Sequence, residues 1–259
     1  MASNANRSSL NNRVDELLGK LNTSQNFPVD LDRLAQLAGI IEIQKVPMIP
    51  EGVLSLTTDG FVVYLQDNFT SSLGNVRQRF TPAHELCHTF FYDKGKEGKL
   101  RRKRIPEVEL EFLCNVGAGW ILIPERWMNA WVKVNKKVSS ATDLLGLSQD
   151  FGVSLEVLFR RLQEHPSAWI EDDHAFVLAK GQSVAEEIKG ISFGPWLQTQ
   201  FYLPALYEQV DTWLARAGTR LKKRSNTQFE HSSPLGLIQI EKTMLTQKES
   251  IYTIRSMRG

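Results

Sequence analysis

The chain has little cysteine, no long apolar run and almost no net charge, and each shortage narrows what it can do. Two cysteines in 259 residues, Cys87 and Cys114, cannot build a disulfide framework, which fits a reducing compartment. Their expected role is apolar packing. No stretch of about eighteen apolar residues occurs, so no membrane span is expected. The opening residues, Met1 to Ser9, are polar and lack the apolar centre of a secretory signal, so the expected location is the cytoplasm. A formal charge of +2 excludes a surface built as a whole to hold polyanions, so any such contact must be local.

What remains is an ordinary globular composition with one unusual stretch. A hydrophobic share of 42% suits one large domain or two modest ones. Leu10, Val14, Leu17, Leu18 and Leu21 recur at helical spacing. A second helix is predicted after Pro28, carrying Leu31, Leu34, Ala35, Leu37 and Ala38 and closed by Gly39. Strand-like segments follow at Ile40 to Val46, Gly52 to Thr57 and Phe61 to Leu65, with a hairpin turn at Asp59-Gly60. The expectation is an α+β core with a small antiparallel sheet, whose edge strand would hold an extended peptide.

The unusual stretch is Arg79-Phe-Thr-Pro-Ala-His-Glu-Leu-Cys-His-Thr-Phe-Phe91. It predicts a helix with Thr81 as its cap and Pro82 in the first position. His84 and His88 lie one turn apart on such a helix and can grip one divalent ion. Glu85 can then act as general base on a water held there, which is the H-E-x-x-H chemistry of zinc peptidases. Ala83, Leu86, Phe90 and Phe91 make the helix too apolar for a solvent face, and buried histidines need partners. A catalytic ion of this kind takes a third protein ligand. Glu111 is the best candidate, on a second helix that shows Cys114, Asn115 and Ala118 on the same face and carries small residues for close approach. Glu107 and Glu109 are rivals near the start of that helix, beside Pro106.

The pair R-F-T-x-A-H-E-x-x-H and E-x-x-C-N-x-x-A-x-x-I-L-x-P resembles the ImmA/IrrE family of metallopeptidases, and in particular its radiation-response regulators. The resemblance spans roughly residues 25 to 165. It implies a zincin-like core, His84, His88 and Glu111 as metal ligands, and Glu85 as catalytic base. It also implies a substrate, a helix-turn-helix repressor cut at one site in a stress or mobile-element response. One departure is Gly117, where the family usually has a bulky aromatic residue. Nitrogen and carboxylate donors suit Zn²⁺, and Mn²⁺ accepts the same set. Tyr64 and Arg79 are the candidates for an oxyanion-stabilising or supporting group.

Between the motifs, Asp93 to Arg104 is a basic, glycine-containing segment. It reads first as a solvated loop and second as a lid or exosite for an acidic surface or DNA. Trp127, Trp131 and Val134 are expected on a helix packed against the sheet. Residues Leu144 to Leu162 read as a helix-turn-helix-like pair with its turn at Gly152 and a cap at Ser154. Leu155, Val157 and Leu158 favour packing over base reading, while Arg160 and Arg161 could touch a DNA backbone. A linker is expected at His165 to Ser167. Beyond it, strands are predicted at His174 to Lys180, Leu235 to Leu245 and Ile251 to Ser256, a helix at Trp196 to Trp213, and a basic patch from Arg216 to Arg224. His174 and His231 read as ordinary polar positions. The expected domains are a peptidase core at 1–136, a helical segment at 137–166 and a C-terminal α+β domain at 167–259, regulatory and sensor-like by resemblance. The rival function is a nucleic-acid-binding transcriptional regulator with a structural or vestigial metal site. Its binding would draw on the basic runs at 99–104 and 220–224.

Overall fold

The computed structural model describes residues 4–21, 28–67, 74–94, 100–180, 187–193, 228–233, 236–245 and 249–257. The predicted helix at Trp196 to Trp213 and the basic patch from Arg216 to Arg224 lie outside them. The chain divides into two compact units, Met1–Trp127 with Gln149–Ser154, and Met128–Ser148 with Leu155–Gly259.

The first unit opens with α1 (Asn4–Gly19), whose Leu10, Val14, Leu17 and Leu18 are all buried, as their spacing predicts. Helix α2 (Leu31–Leu37) is capped by the Asp30 carboxylate, which accepts the Arg33 N–H, and Gly39 follows at φ +86°. Strands β1 (Ile40–Val46), β2 (Gly52–Leu56) and β3 (Phe61–Gln66) form one sheet in the order β1-β3-β2. The expected antiparallel sheet is in fact mixed. Strands β2 and β3 are an antiparallel hairpin closed by the Thr57 N–H on the Gly60 carbonyl, but β1 takes the other side of β3 and pairs with it in parallel. That placement leaves β2 at an edge of this sheet.

Helix α3 (Gly74–Thr89) begins well before Thr81, which corrects the predicted start. Thr81 is a buried interior residue whose hydroxyl reaches Glu51 (3.4 Å), and Pro82 sits mid-helix, where its ring removes one backbone hydrogen bond. The helix tolerates that loss because Ala83, Leu86 and Cys87 are buried to 1% exposure or less. The expected basic loop supplies a two-stranded hairpin, β4 (Tyr92–Lys94) and β5 (Leu100–Arg102), with Tyr92 opposite Arg102. Helix α4 (Glu107–Leu122) then packs along α3 and α1. Close approach requires Gly117: a Cβ there would lie 2.7 Å from Cys87 Sγ and 3.3 Å from both methyls of Leu10. The departure from the family pattern therefore sits at the contact of all three helices.

Helix α5 (Glu125–Asn135) buries Trp127, but Val134, expected to pack, is 82% exposed. Helices α6 (Ala141–Phe151) and α7 (Leu155–Leu162) are separated by Gly152 at φ +60°. Arg161 does not face outward: it is buried, pairs with Glu164 and stacks on Trp169 (5.1 Å). The predicted linker is instead a short helix, α8 (Pro166–Trp169), followed by a parallel bridge from Val138 to Ile170. Strands β6 (His174–Lys180), β7 (Glu187–Phe193), β8 (Gln228–Ser233), β9 (Gly236–Met244) and β10 (Glu249–Met257) form an antiparallel sheet in the order β7-β6-β10-β9-β8. Three of these strands match the predicted ones, and β7 and β8 were not predicted. Helix α7 packs on β6 and β7. His174 is buried with Nδ1 on Asp173 (2.7 Å), and His231 lies in β8.

Alanine is ordinarily worth about 1 kcal/mol more than glycine inside a helix, whereas overpacking a core costs about 1–3 kcal/mol. At position 117 the obstructing sulfur is fully buried, so the second effect wins. Gly117→Ala is expected to lower stability by about 1–2 kcal/mol in urea unfolding. An unchanged or raised midpoint would mean that α3 and α4 are further apart than described.

Candidate metal centre

Helix periodicity puts His84 and His88 on the face of α3 that looks toward α4, and Glu111 reaches them from one turn inside α4. The three side chains converge. His84 Nε2 lies 3.1 Å from His88 Nε2. Glu111 Oε2 is 3.2 Å from the first ring and Oε1 is 3.4 Å from the second. Donors bound tetrahedrally to one zinc ion at about 2.0–2.1 Å stand about 3.3–3.4 Å from each other. The two Nε2 atoms and the two oxygens of Glu111, one facing each ring, are thus spaced at 3.1–3.4 Å, close to the donor separations around a single small divalent cation.

The electrostatics favour the same occupant. Burial lowers the pKa of His84, partly opposed by Glu111 and Asn115. Burial, then His84, then the Arg102 charge bring His88 down to about 4. Both rings are accordingly neutral at pH 7, the form in which imidazole binds a metal. Among the described residues, His84 Nδ1 is buried without a hydrogen-bond partner.

Glu85 differs from Glu111 in its surroundings. It also lies within 4.8 Å of the imidazole donors, so the distance criterion alone admits it as a ligand. Its carboxylate, however, accepts the backbone N–H of Leu54 on β2 and is buried, whereas the Glu111 side chain is 45% exposed. Burial first, and Glu111 second, raise Glu85 to about 7, against the pull of the Leu54 N–H. A carboxyl group near 7 is suited to exchanging a proton at neutral pH. Both rivals of Glu111 hold other partners, although Glu107 also lines the cleft described below. Glu109 accepts from Asn6 on α1 (2.8 Å), and Glu107 holds Arg102 Nη2 with both oxygens (2.9 and 3.1 Å).

Strand β2 forms the other wall. The Glu51 carbonyl accepts from Gln66 (3.1 Å) and the Thr57 N–H donates to Gly60, so the odd positions of β2 face β3. The backbone groups of Gly52, Leu54 and Leu56 consequently turn to the open edge. Gly52 must lack a side chain: a Cβ there would lie 2.6 Å from Glu85 Oε1 and 2.7 Å from Thr81 Cγ2. Strand, helices and hairpin enclose a cleft of about 460 Å³, lined by His84, Glu85, His88 and Glu111 and by Val53, Leu54, Phe80, Tyr92, Arg102 and Asn115 among others.

Tyr64 and Arg79 are not brought to this cleft. Tyr64 lies on β3 between Val53 and Gln44. Arg79 donates Nη2 to the Val29 carbonyl (2.6 Å) and lies against Gly152, where a Cβ would meet Nε at 3.1 Å. Burial lowers the pKa of Arg79, with Asp30 and Asp32 opposing, so its work is to tie α3 to the start of α2 and to the turn after α6. Tyr92, Arg102 and Gly52 were missed by sequence reasoning. Only Gly52 left a signal, a glycine within a strand, which marks a close backbone approach.

Residues 69–163 match a family model described as peptidase M78, the IrrE N-terminal-like domain. This stretch belongs to the ImmA/IrrE family of metallopeptidases. The IrrE-like domain thus covers α3 to α7, and with them both motifs. No curated protein matches the chain. Among solved structures it is similar to a Mycobacterium tuberculosis transcriptional regulator, at 13% identity and a TM-score of 0.51, over 98% of this chain and 77% of the other. At that identity the likeness is one of fold. No helix among the described residues is long and apolar enough to cross a membrane.

Because both rings hold their protons weakly, metal uptake should resist acid. An unperturbed imidazole pair loses about tenfold in affinity between pH 7.5 and 6 through protonation. Zinc affinity measured by chelator competition at the two values, corrected for the chelator's own protons, is expected to change far less than that. A full tenfold loss would mean that the rings titrate as free imidazole.

Proposed function

We propose that the chain is a metal-dependent endopeptidase that cuts a protein substrate, a helix-turn-helix repressor, at a single site. The observation that carries this is the convergence of the two imidazole Nε2 atoms (3.1 Å apart) with the two oxygens of Glu111 (3.2 Å from one ring, 3.4 Å from the other), and a separate carboxyl group beside them. His84, His88 and Glu111 hold the ion. A bound Zn²⁺ or Mn²⁺ supplies a Lewis acid and brings the pKa of the water it holds towards about 7. Glu85 takes the proton of the attacking water and delivers it to the leaving amine nitrogen. The substrate backbone adds to the open edge of β2, where the groups of Gly52 and Leu56 and the Leu54 carbonyl remain to pair with it. The Leu54 N–H holds the base in register with that strand. The repressor, as a particular substrate, rests on the family resemblance. In this reading residues 1–136 are the peptidase core, 137–166 a helical segment and 167–259 a regulatory domain.

A second function draws on the fold shared with a protein named a transcriptional regulator, and on the α6–α7 pair: a DNA-binding regulator whose metal is structural. The burial of Leu158, Phe159, Arg161 and Leu162 weighs against α7 as a base reader, since these side chains serve the core.

Incubation with the helix-turn-helix repressor encoded beside the gene separates the two. One cut is expected with zinc or manganese, and none with chelator. Glu85→Gln should slow the cut by about 10²–10⁴-fold. Glu111→Ala should lose most bound metal in elemental analysis. Cleavage that survives Glu85→Gln would refute the assigned base, and a salt-sensitive DNA gel shift without cleavage would favour the regulator.

A further inference from the structure

The cleft needs a donor for the oxygen of the scissile carbonyl, and Tyr64 and Arg79 are placed elsewhere. The basic segment between the two motifs meanwhile has no part in the reaction as described so far. We propose that Arg102, from that basic segment, is the group that binds the developing oxyanion of the substrate.

Five features support the assignment, which rests on the endopeptidase function proposed above. Arg102 lines the same cleft as His84, Glu85, His88 and Glu111, and lies in sequence between the two motifs. It ends β5, opposite Tyr92, so the β4–β5 hairpin presents both residues from one position across the ladder. Tyr92 is fixed by edge-on contact of its ring with Phe61 (5.0 Å), which anchors the hairpin to the sheet. Glu107 takes Arg102 Nη2 with both oxygens and holds the guanidinium in place. Nη1 and Nε have no protein acceptor among the described residues, so an arginine on a braced hairpin keeps donors for a ligand. A cation already standing in the cleft lining where negative charge develops needs little reorganisation when the charge appears.

In the reaction, the water oxygen bonds to the carbonyl carbon while the π electron pair moves onto the carbonyl oxygen. Arg102 donates hydrogen bonds to that oxygen and keeps its own proton. The pair returns as the C–N bond breaks, and the amine leaves with the proton that Glu85 took from the water.

A tetrahedral probe tests this without a known substrate. An N-phosphoryl-leucyl dipeptide carries oxygens in the oxyanion position, whereas acetohydroxamate needs only the metal and its immediate ligands. In zinc-loaded protein, Arg102→Gln is expected to bind the phosphoryl dipeptide about 10–100-fold more weakly, the worth of a charge-assisted hydrogen bond. Zinc content, acetohydroxamate affinity and thermal unfolding should stay as in the wild type, and Arg102→Lys should recover part of the loss. Unchanged phosphoryl binding in Arg102→Gln would overturn the assignment. An equal loss of acetohydroxamate or zinc would also overturn it, by making Arg102 a structural support. A wild type that takes up no zinc would instead overturn the endopeptidase function, and the assignment with it.

Discussion

The constraint on which this structure depends is the convergence of two half-buried imidazoles and one carboxylate on a point that belongs to neither helix. Apolar packing carries the rings inside, yet polar nitrogens inside a protein are costly unless something takes them up. Helix α4 brings the compensating carboxylate, and its close packing on α3 uses the missing side chain at residue 117. The leucines of α1 press on α4 and so belong to the same arrangement. Buried cysteines stand at the helix contact, where small and slightly polarisable groups let two backbones come together. Burial pushes their thiols well above the ordinary value, as suits groups packed between helices.

A second close approach, at Gly52, sets the division of labour between the two glutamates. One carboxylate is pressed against the sheet edge and takes a backbone N–H from Leu54; the other stands between the rings and partly in solvent. In the proposed reaction these surroundings would give two identical groups different roles, one moving protons and one holding a cation. The open edge of β2 runs past the first, so peptide binding and proton transfer would share one strand.

Much of this was legible in advance where a residue's chemistry and its spacing agree. The one-turn separation of His84 and His88 needs only the helix period, and the apolar flanks already implied burial. The Gly39 close and the β2–β3 hairpin followed from local turn chemistry, whereas the Asp30 cap was not read in advance. Thr81 and Pro82 misled because a good cap sequence can be buried mid-helix when the surrounding contacts outweigh one lost hydrogen bond. The parallel pairing of β1 was hidden because a strand pattern states which face is buried and not which neighbour lies alongside. Arg102 sat in plain view among four other cations, Arg101, Lys103, Arg104 and Lys99. Nothing in a run of like charges distinguishes the one that a hairpin turns into a cleft. Arg79 was noticed for its place in the motif and proved to be a brace for the helix.

The most direct measurement of the central claim is X-ray absorption at the zinc edge of the loaded protein. Two imidazole nitrogens and carboxylate or water oxygens at about 2.0–2.1 Å are expected, with no sulfur among them. A sulfur shell at about 2.3 Å, or a zinc ion without the outer scattering of two imidazoles, would contradict the convergence of His84, His88 and Glu111 on a single ion.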